Sequence, residues 1–189
     1  MHTYIGLIRA VNVSGFSTVR MDTLRGVLAE MGLEDVRTLS QSGNFVFRSD
    51  ERDPVRLEHQ IEGRIARRLP LRTDLFVRTP DEWKAMVERN PFPKQAAESP
   101  SRLLAVVLKS PPTADRWKAL DGANRGPEQI HGVERTAYID YPNGVGRSRL
   151  TIAMIEKHLG TRGTARNWNT VLKLEKVVSE AEELAEVSP

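Results

Sequence analysis

The stretch 141–170 gathers the residues best suited to holding an anion. It reads YPNGVGRSRLT, a short apolar helical pattern, and then TARNWNT. Arg147, Arg149, Lys157, Arg162 and Arg166 are opposed there by one acid, Glu156. Asn143, Gly144 and Gly146 precede an expected helix start, and Asn167 and Asn169 flank Trp168. Amides at a helix N-terminus, glycines that let the backbone approach closely, and guanidinium groups are the parts of a phosphate site. They specify the charge of a ligand, not a reaction.

Several of these residues have a structural reading as well. Pro142-Asn143-Gly144 and Gly43-Asn44 are turn chemistry. Ser148 either caps the following helix through its hydroxyl or contributes to the site. Asn167 either caps the last helix or faces a ligand, and Trp168 heads an apolar stripe and reads as core. Arg9 is either an ion-paired structural arginine or a cleft residue. A turn needs neither Arg147 nor Arg149, so these carry the functional reading.

The elements that must position them follow from hydrophobic periodicity. Residues 4–9 suit a buried strand, Leu24, Val27, Leu28 and Met31 mark a helix, and 36–39 and 45–47 suit two strands around the Gln41-Ser42-Gly43-Asn44 turn. Leu57, Ile61 and Ile65 mark a second helix, and 75–77 a fourth strand. This β-α-β-β-α-β order is the split arrangement of ferredoxin-like folds. A helix over about 81–89 and a polar linker ending at Pro100 follow. The order then repeats: strand 103–108, helix 113–120, a hairpin of 129–131 and 136–140, helix 150–159 and a weak strand 163–165. A long amphipathic helix closes the chain, with Trp168, Val171, Leu174, Val178, Ala181 and Ala185 on its apolar stripe. The expected class is α+β, with two ferredoxin-like subdomains of antiparallel sheets plus a C-terminal helix. The expected divisions are a first subdomain at 1–79, connecting helix and linker at 80–101, a second subdomain at 102–166 and the C-terminal helix at 167–189.

This connectivity also groups the loops. In the first half, the strand-helix loop with Asn12 and Gly15 shares a sheet end with Gln41, Ser42 and Asn44. In the second half, Asn143 and Arg147 share an end with Arg166, Asn167 and Asn169. Head-to-tail packing of the halves would let both clusters line one cleft. The candidate ligand-binding set is therefore Asn12, Gln41, Ser42, Asn44, Asn143, Gly144, Gly146, Arg147, Ser148, Arg149, Arg166, Asn167 and Asn169.

Composition narrows the classes. The 189 residues carry a net charge of +3, and none is cysteine, so thiolate catalysis, disulfides and zinc-thiolate sites are excluded. No apolar run approaches the roughly 20 residues of a membrane span, and no signal-peptide pattern opens the chain. The expectation is a cytoplasmic protein that does not engage a membrane. His2, His59, His131 and His158 are scattered without metal-binding spacing, so no metal is expected. There is no Walker loop, no nucleophile elbow and no Rossmann-type unit, and no cofactor is implied. The residues beyond Glu175 are acidic, which leaves the body of the chain basic.

The chain resembles the bacterial domain of unknown function family 1697. The likeness runs from Tyr4 to about Lys176 and rests on 8-IRAVNVSG-15, 41-QSGN-44, 90-NPF-92, 141-YPNGVGRS-148 and 164-TARNWNT-170. It implies paired ferredoxin-like subdomains and brings no established activity. Ala10 and Ser14 stand where that family's first motif usually has glycines, and Arg149 stands where lysine is usual. If the first loop needs positive φ at those glycines, its role is altered here.

Three functions compete. The first is binding of a phosphate-bearing ligand at the Asn/Gly/Arg loops, whether nucleotide, phosphometabolite or nucleic acid. The second is an enzyme acting on such a ligand, with Asp140 as base and Tyr141 as acid. The third is a protein-interaction module using the C-terminal helix, its partner unknown. Few aromatic residues and no RNP pattern favour a small ligand over extended nucleic acid, although Phe45 and Phe47 are spaced to share one sheet face.

Overall fold

A computed structural model describes residues 1–9 and 19–187. It divides into two compact units, one of residues 1–84 with 173–189 and the other of residues 85–172.

The first unit contains β1 (His2–Ile8), α1 (Met21–Ala29), β2 (Glu34–Leu39), β3 (Asn44–Ser49), α2 (Pro54–Arg68) and β4 (Leu75–Arg78). Its sheet has the order β2-β3-β1-β4, every neighbouring pair antiparallel. Tyr4, Ile8, Phe45, Phe47, Leu75 and Val77 share one core with Leu24 and Leu28 of α1 and Leu57, Ile61 and Ile65 of α2. The opposite face, with Ile5, Leu7, Val46 and Phe76, is also buried. Gly6 lies directly across from Phe45 in the β1–β3 ladder, and a Cβ there would meet the Phe45 ring.

The second unit opens with the end of α3 (Pro80–Glu88), followed by α4 (Pro93–Glu98). The polar segment expected to be plain linker thus holds a helix. Pro93 occupies its first turn, where a missing N–H costs nothing, and Gln95, Ala96, Ala97 and Glu98 are good helix formers. Next come β5 (Leu103–Leu108), α5 (Ala114–Ala123), β6 (Gln129–Val133), β7 (Thr136–Asp140), α6 (Ile152–Leu159) and β8 (Gly163–Asn167). The order β6-β7-β5-β8 repeats that of the first sheet, so both sheets are ferredoxin-like. Leu104, Val106, Leu108, Ala137, Ile139 and Tyr141 pack with Leu120 of α5 and Ile155 and Leu159 of α6. On the other face Leu103, Ala105, Val107 and Tyr138 are buried too. Strand β8 continues through Arg166 and Asn167, paired with Ala105 and Leu104, and α7 (Trp168–Val187) follows at once. Backbone pairing carries this strand two residues past its apolar part.

Edge strands β4 and β8 are treated alike. Their outward N–H groups have no neighbouring strand, and glutamates from the preceding helix accept from them. Leu75 N donates to Glu62 Oε1 at 2.7 Å and Val77 N to Glu58 Oε1 at 2.8 Å. Gly163 N donates to Glu156 Oε1 at 2.8 Å. Leu75 and Gly163 are each the first residue of their strand.

Candidate functional site

In the second unit, α5 ends at the same end of the sheet from which β7 leaves, because Gln129 of β6 pairs with Asp140 of β7. The α5–β6 loop and the β7–α6 loop therefore meet. Between them lies a recess of about 460 Å³, within the range of small-molecule sites. Its polar wall is Asn124, Arg125, Glu128, Asn143, Arg147, Ser148 and Arg149, and Leu150 and Met154 form part of the apolar wall.

The β7–α6 loop is held in shape by its own bonds. Tyr141 N donates to Arg102 O at 3.0 Å, and Arg102 Nη1 donates to Pro142 O at 2.8 Å. Gly144, at φ 84°, turns the chain into a three-residue 3-10 turn, Val145–Arg147. That φ suits glycine and strains any other L-residue. The amides of Arg147 and Ser148 donate back to Gly144 O and Val145 O, both at 3.2 Å. These two N–H groups are therefore used within the turn, and the side chains of Arg147 and Arg149 line the recess. Ser148 Oγ accepts from Leu150 N at 2.9 Å. Thr151, not Ser148, caps α6, its side chain accepting from Met154 N. This starts the helix two residues later than the sequence pattern indicates.

The opposite wall is organised by Asn124. Its Nδ2 donates to Glu128 O at 2.8 Å, and its Oδ1 accepts from Gly126 N at 3.1 Å. The Glu128 carboxylate lies over Gly126, where a Cβ would overlap Oε2. Among the described residues, none of Arg125, Arg147, Arg149 and Glu128 is ion-paired. Three solvated guanidinium groups and one carboxylate thus face a common space.

Of the expected site residues, Asn143, Arg147, Ser148 and Arg149 come together here, with Gly144 and Gly146 in the loop that presents them. Arg166 does not join them. It lies on the sheet face opposite α5 and α6, where its Nη1 donates to Thr164 Oγ1 at 2.7 Å and Ala165 O at 2.8 Å. Desolvation lowers its pKa to about 10, which still leaves it charged at neutral pH. Asn167 caps the start of α7, Oδ1 accepting from Thr170 N and Thr170 Oγ1, both at 3.0 Å. Asn169 is exposed on the first turn of α7. Trp168 is buried core, its ring 6.4 Å from that of Tyr138.

In the first unit, Ile8 N donates to Gly43 O at 2.8 Å, so the β2–β3 turn does sit at the end of β1. Asn44 is fully buried and its Nδ2 donates to Ser42 Oγ at 2.8 Å; Ser42 Oγ also bonds Ser40 Oγ at 2.6 Å. These contacts build the turn. Gln41 lines a separate recess with Arg20, Asp22, Arg25, Thr38 and Ser40, in which Asp22 pairs with both arginines. Asn12, Gly15 and the departures Ala10 and Ser14 lie outside the described residues.

Two chemical assignments change. Asp140 shares the face of Leu103 and Tyr138, away from the recess. Tyr141 is in the core, its hydroxyl donating to Leu150 O at 3.0 Å. Burial, with the Glu128 charge adding, raises its pKa far above that of a free phenol, so it is a latch across the loop rather than an acid. The carboxylate at the recess is Glu128. Asn124, Arg125 and Glu128 escape a sequence reading because Asn-Arg-Gly-Pro reads as an ordinary turn. The strand order that groups Asn143 and Arg147 with the end of β8 also places this loop at the same end of the sheet.

The aromatic pair Phe45 and Phe47 is buried in the core against α1 and α2, so it offers no stacking platform. Among the described residues, no cluster of three His, Asp or Glu suits a metal ion. No described helix is long and apolar enough to cross a membrane.

The family model described as protein of unknown function (DUF1697) matches residues 1–138. Arg125 and Glu128 lie within that match, and Arg147 and Arg149 lie beyond it. No curated protein matches the chain. Among solved structures, the conserved bacterial protein SP0830 from Streptococcus pneumoniae is similar over 93% of this chain and 98% of its own, with a TM-score of 0.73 and 20% identity. That likeness concerns the fold.

Proposed function

We propose, for a chain that belongs to the DUF1697 family of unknown function, that the recess walled by Arg125, Arg147 and Arg149 binds a small phosphate-bearing molecule such as a nucleotide or phosphometabolite. One observation carries this reading: three guanidinium groups, unpaired among the described residues, line one recess that holds a single carboxylate. Guanidinium forks match phosphate oxygens geometrically as well as in charge. The internal bonds of the β7–α6 loop support it further, because a loop already held in shape loses little entropy when a ligand arrives.

Burial argues for a small ligand over RNA. A ferredoxin-like sheet that reads RNA keeps an exposed aromatic face, whereas the sheet aromatics Tyr4, Phe45, Phe47, Phe76 and Tyr138 are all buried here. A cytoplasmic setting belongs to the same proposal, supported by the lack of cysteine.

The test is thermal denaturation of the full chain with inorganic phosphate, nucleotides and sugar phosphates. A ligand at a hundred times its dissociation constant should stabilise the fold by about 2.7 kcal/mol. Arg147→Ala should weaken binding by about 1–3 kcal/mol while leaving the unliganded melting temperature almost unchanged, because its side chain is exposed. Equal binding by wild type and Arg147→Ala would remove the assignment.

A further inference from the structure

The recess also contains Glu128, and an anion site has no electrostatic use for it. A carboxylate near the bound phosphate opposes binding. Yet the α5–β6 loop presents this side chain to the recess. Asn124 fixes the loop backbone through Gly126 N and Glu128 O, and the carboxylate rests over Gly126, which has no Cβ. The three arginines do not neutralise it, since among the described residues they form no ion pair with it. Its two oxygens remain acceptors beside a positively charged wall.

We infer, resting on the phosphate reading above, that the ligand is a hydroxyl-bearing phosphate ester of the sugar-phosphate class, with Glu128 accepting from its hydroxyls and the arginines holding its phosphate. A hydroxyl fits better than an ammonium group as the donor, because three guanidinium groups against one carboxylate repel a ligand cation. Leu150 and Met154 offer apolar surface for the C–H face of a sugar ring. An ionised acceptor that must give up water discriminates strongly between a ligand that replaces the lost hydrogen bond and one that does not.

Titration calorimetry on the full chain with ribose phosphate and with pentyl phosphate tests this, since the two share a phosphate but only one carries hydroxyls. Wild type should bind ribose phosphate at least about tenfold more tightly. Glu128→Ala should abolish that preference while leaving pentyl phosphate bound equally or more tightly. Glu128→Gln, which keeps the shape of the loop, should narrow the preference as well. Equal affinities in wild type, or equal weakening of both ligands by both Glu128 variants, would overturn the inference and leave the phosphate site standing. If neither ligand binds wild type, or Arg147→Ala weakens neither, the phosphate site itself falls and this inference with it.

Discussion

The hydroxyl of Tyr141 spans the loop that carries Asn143 and Arg147, donating to Leu150 O in a buried setting. Tyr141→Phe keeps the ring and strands that carbonyl, so equilibrium unfolding should show a loss of about 1–3 kcal/mol. The same burial has a pH signature. Desolvation raises Tyr138 from 10.0 to about 12, and Tyr141 is raised further. Both folded-state values lie above the unfolded one, so the fold favours the protonated phenols. The stability this represents is complete below pH 10 and declines as pH climbs through 10 to 12 and beyond. Urea midpoints measured from pH 9 upward should fall over that interval, and Tyr138→Phe should flatten the fall. At this scale the sequence is legible where a residue type exceeds what its local role demands. Arg147 and Arg149 are conspicuous in a loop that only needs to turn. Asn44 donates to Ser42 Oγ and Asn167 accepts from Thr170, and sequence cannot separate that duty from ligand contact. Glu128 was hidden for a different reason, because the recess it lines forms only where two loops distant in sequence meet.

Hydrophobic period and turn chemistry were enough to locate the strands and main helices of both sheets, because the central strands and most helices bury apolar residues, while β2 and β6 are marked by the turns beside them. The misjudged boundaries lie where backbone bonding outruns side-chain pattern, as when β8 extends through Arg166 and Asn167 along β5. Helix α4 has no buried residue, so it leaves no apolar period to read. The glutamate contacts to the edge strands are equally invisible in sequence, since Glu58, Glu62 and Glu156 look like ordinary helix-surface acids. Glu62→Leu should leave the Leu75 N–H without its acceptor and cost about 1–3 kcal/mol in equilibrium unfolding. Glu156→Leu does the same to Gly163. Either variant should also show more self-association in sedimentation, because an uncovered strand edge is a template for pairing.

Charge separates the ligand classes at the scale of the whole molecule. A net charge of +3 is modest, and the segment from Glu175 to Pro189 is net acidic. A small phosphate ester touching three arginines should lose affinity gently with added salt. Duplex nucleic acid would show a logarithmic slope of about −0.9 for each phosphate neutralised. Affinities for a nucleotide and a DNA duplex, compared across a salt series, will tell the two apart, and a shallow dependence is expected. The carboxylates over Leu75 and Gly163 bear on the molecule as a whole in another way. Two kindred halves on one polypeptide are held at high effective concentration, and each has an unfinished rim matching the other's. Glu62 and Glu156 shield each rim with a side chain from its own half, so the halves can mature side by side in a nascent chain without exchanging strands.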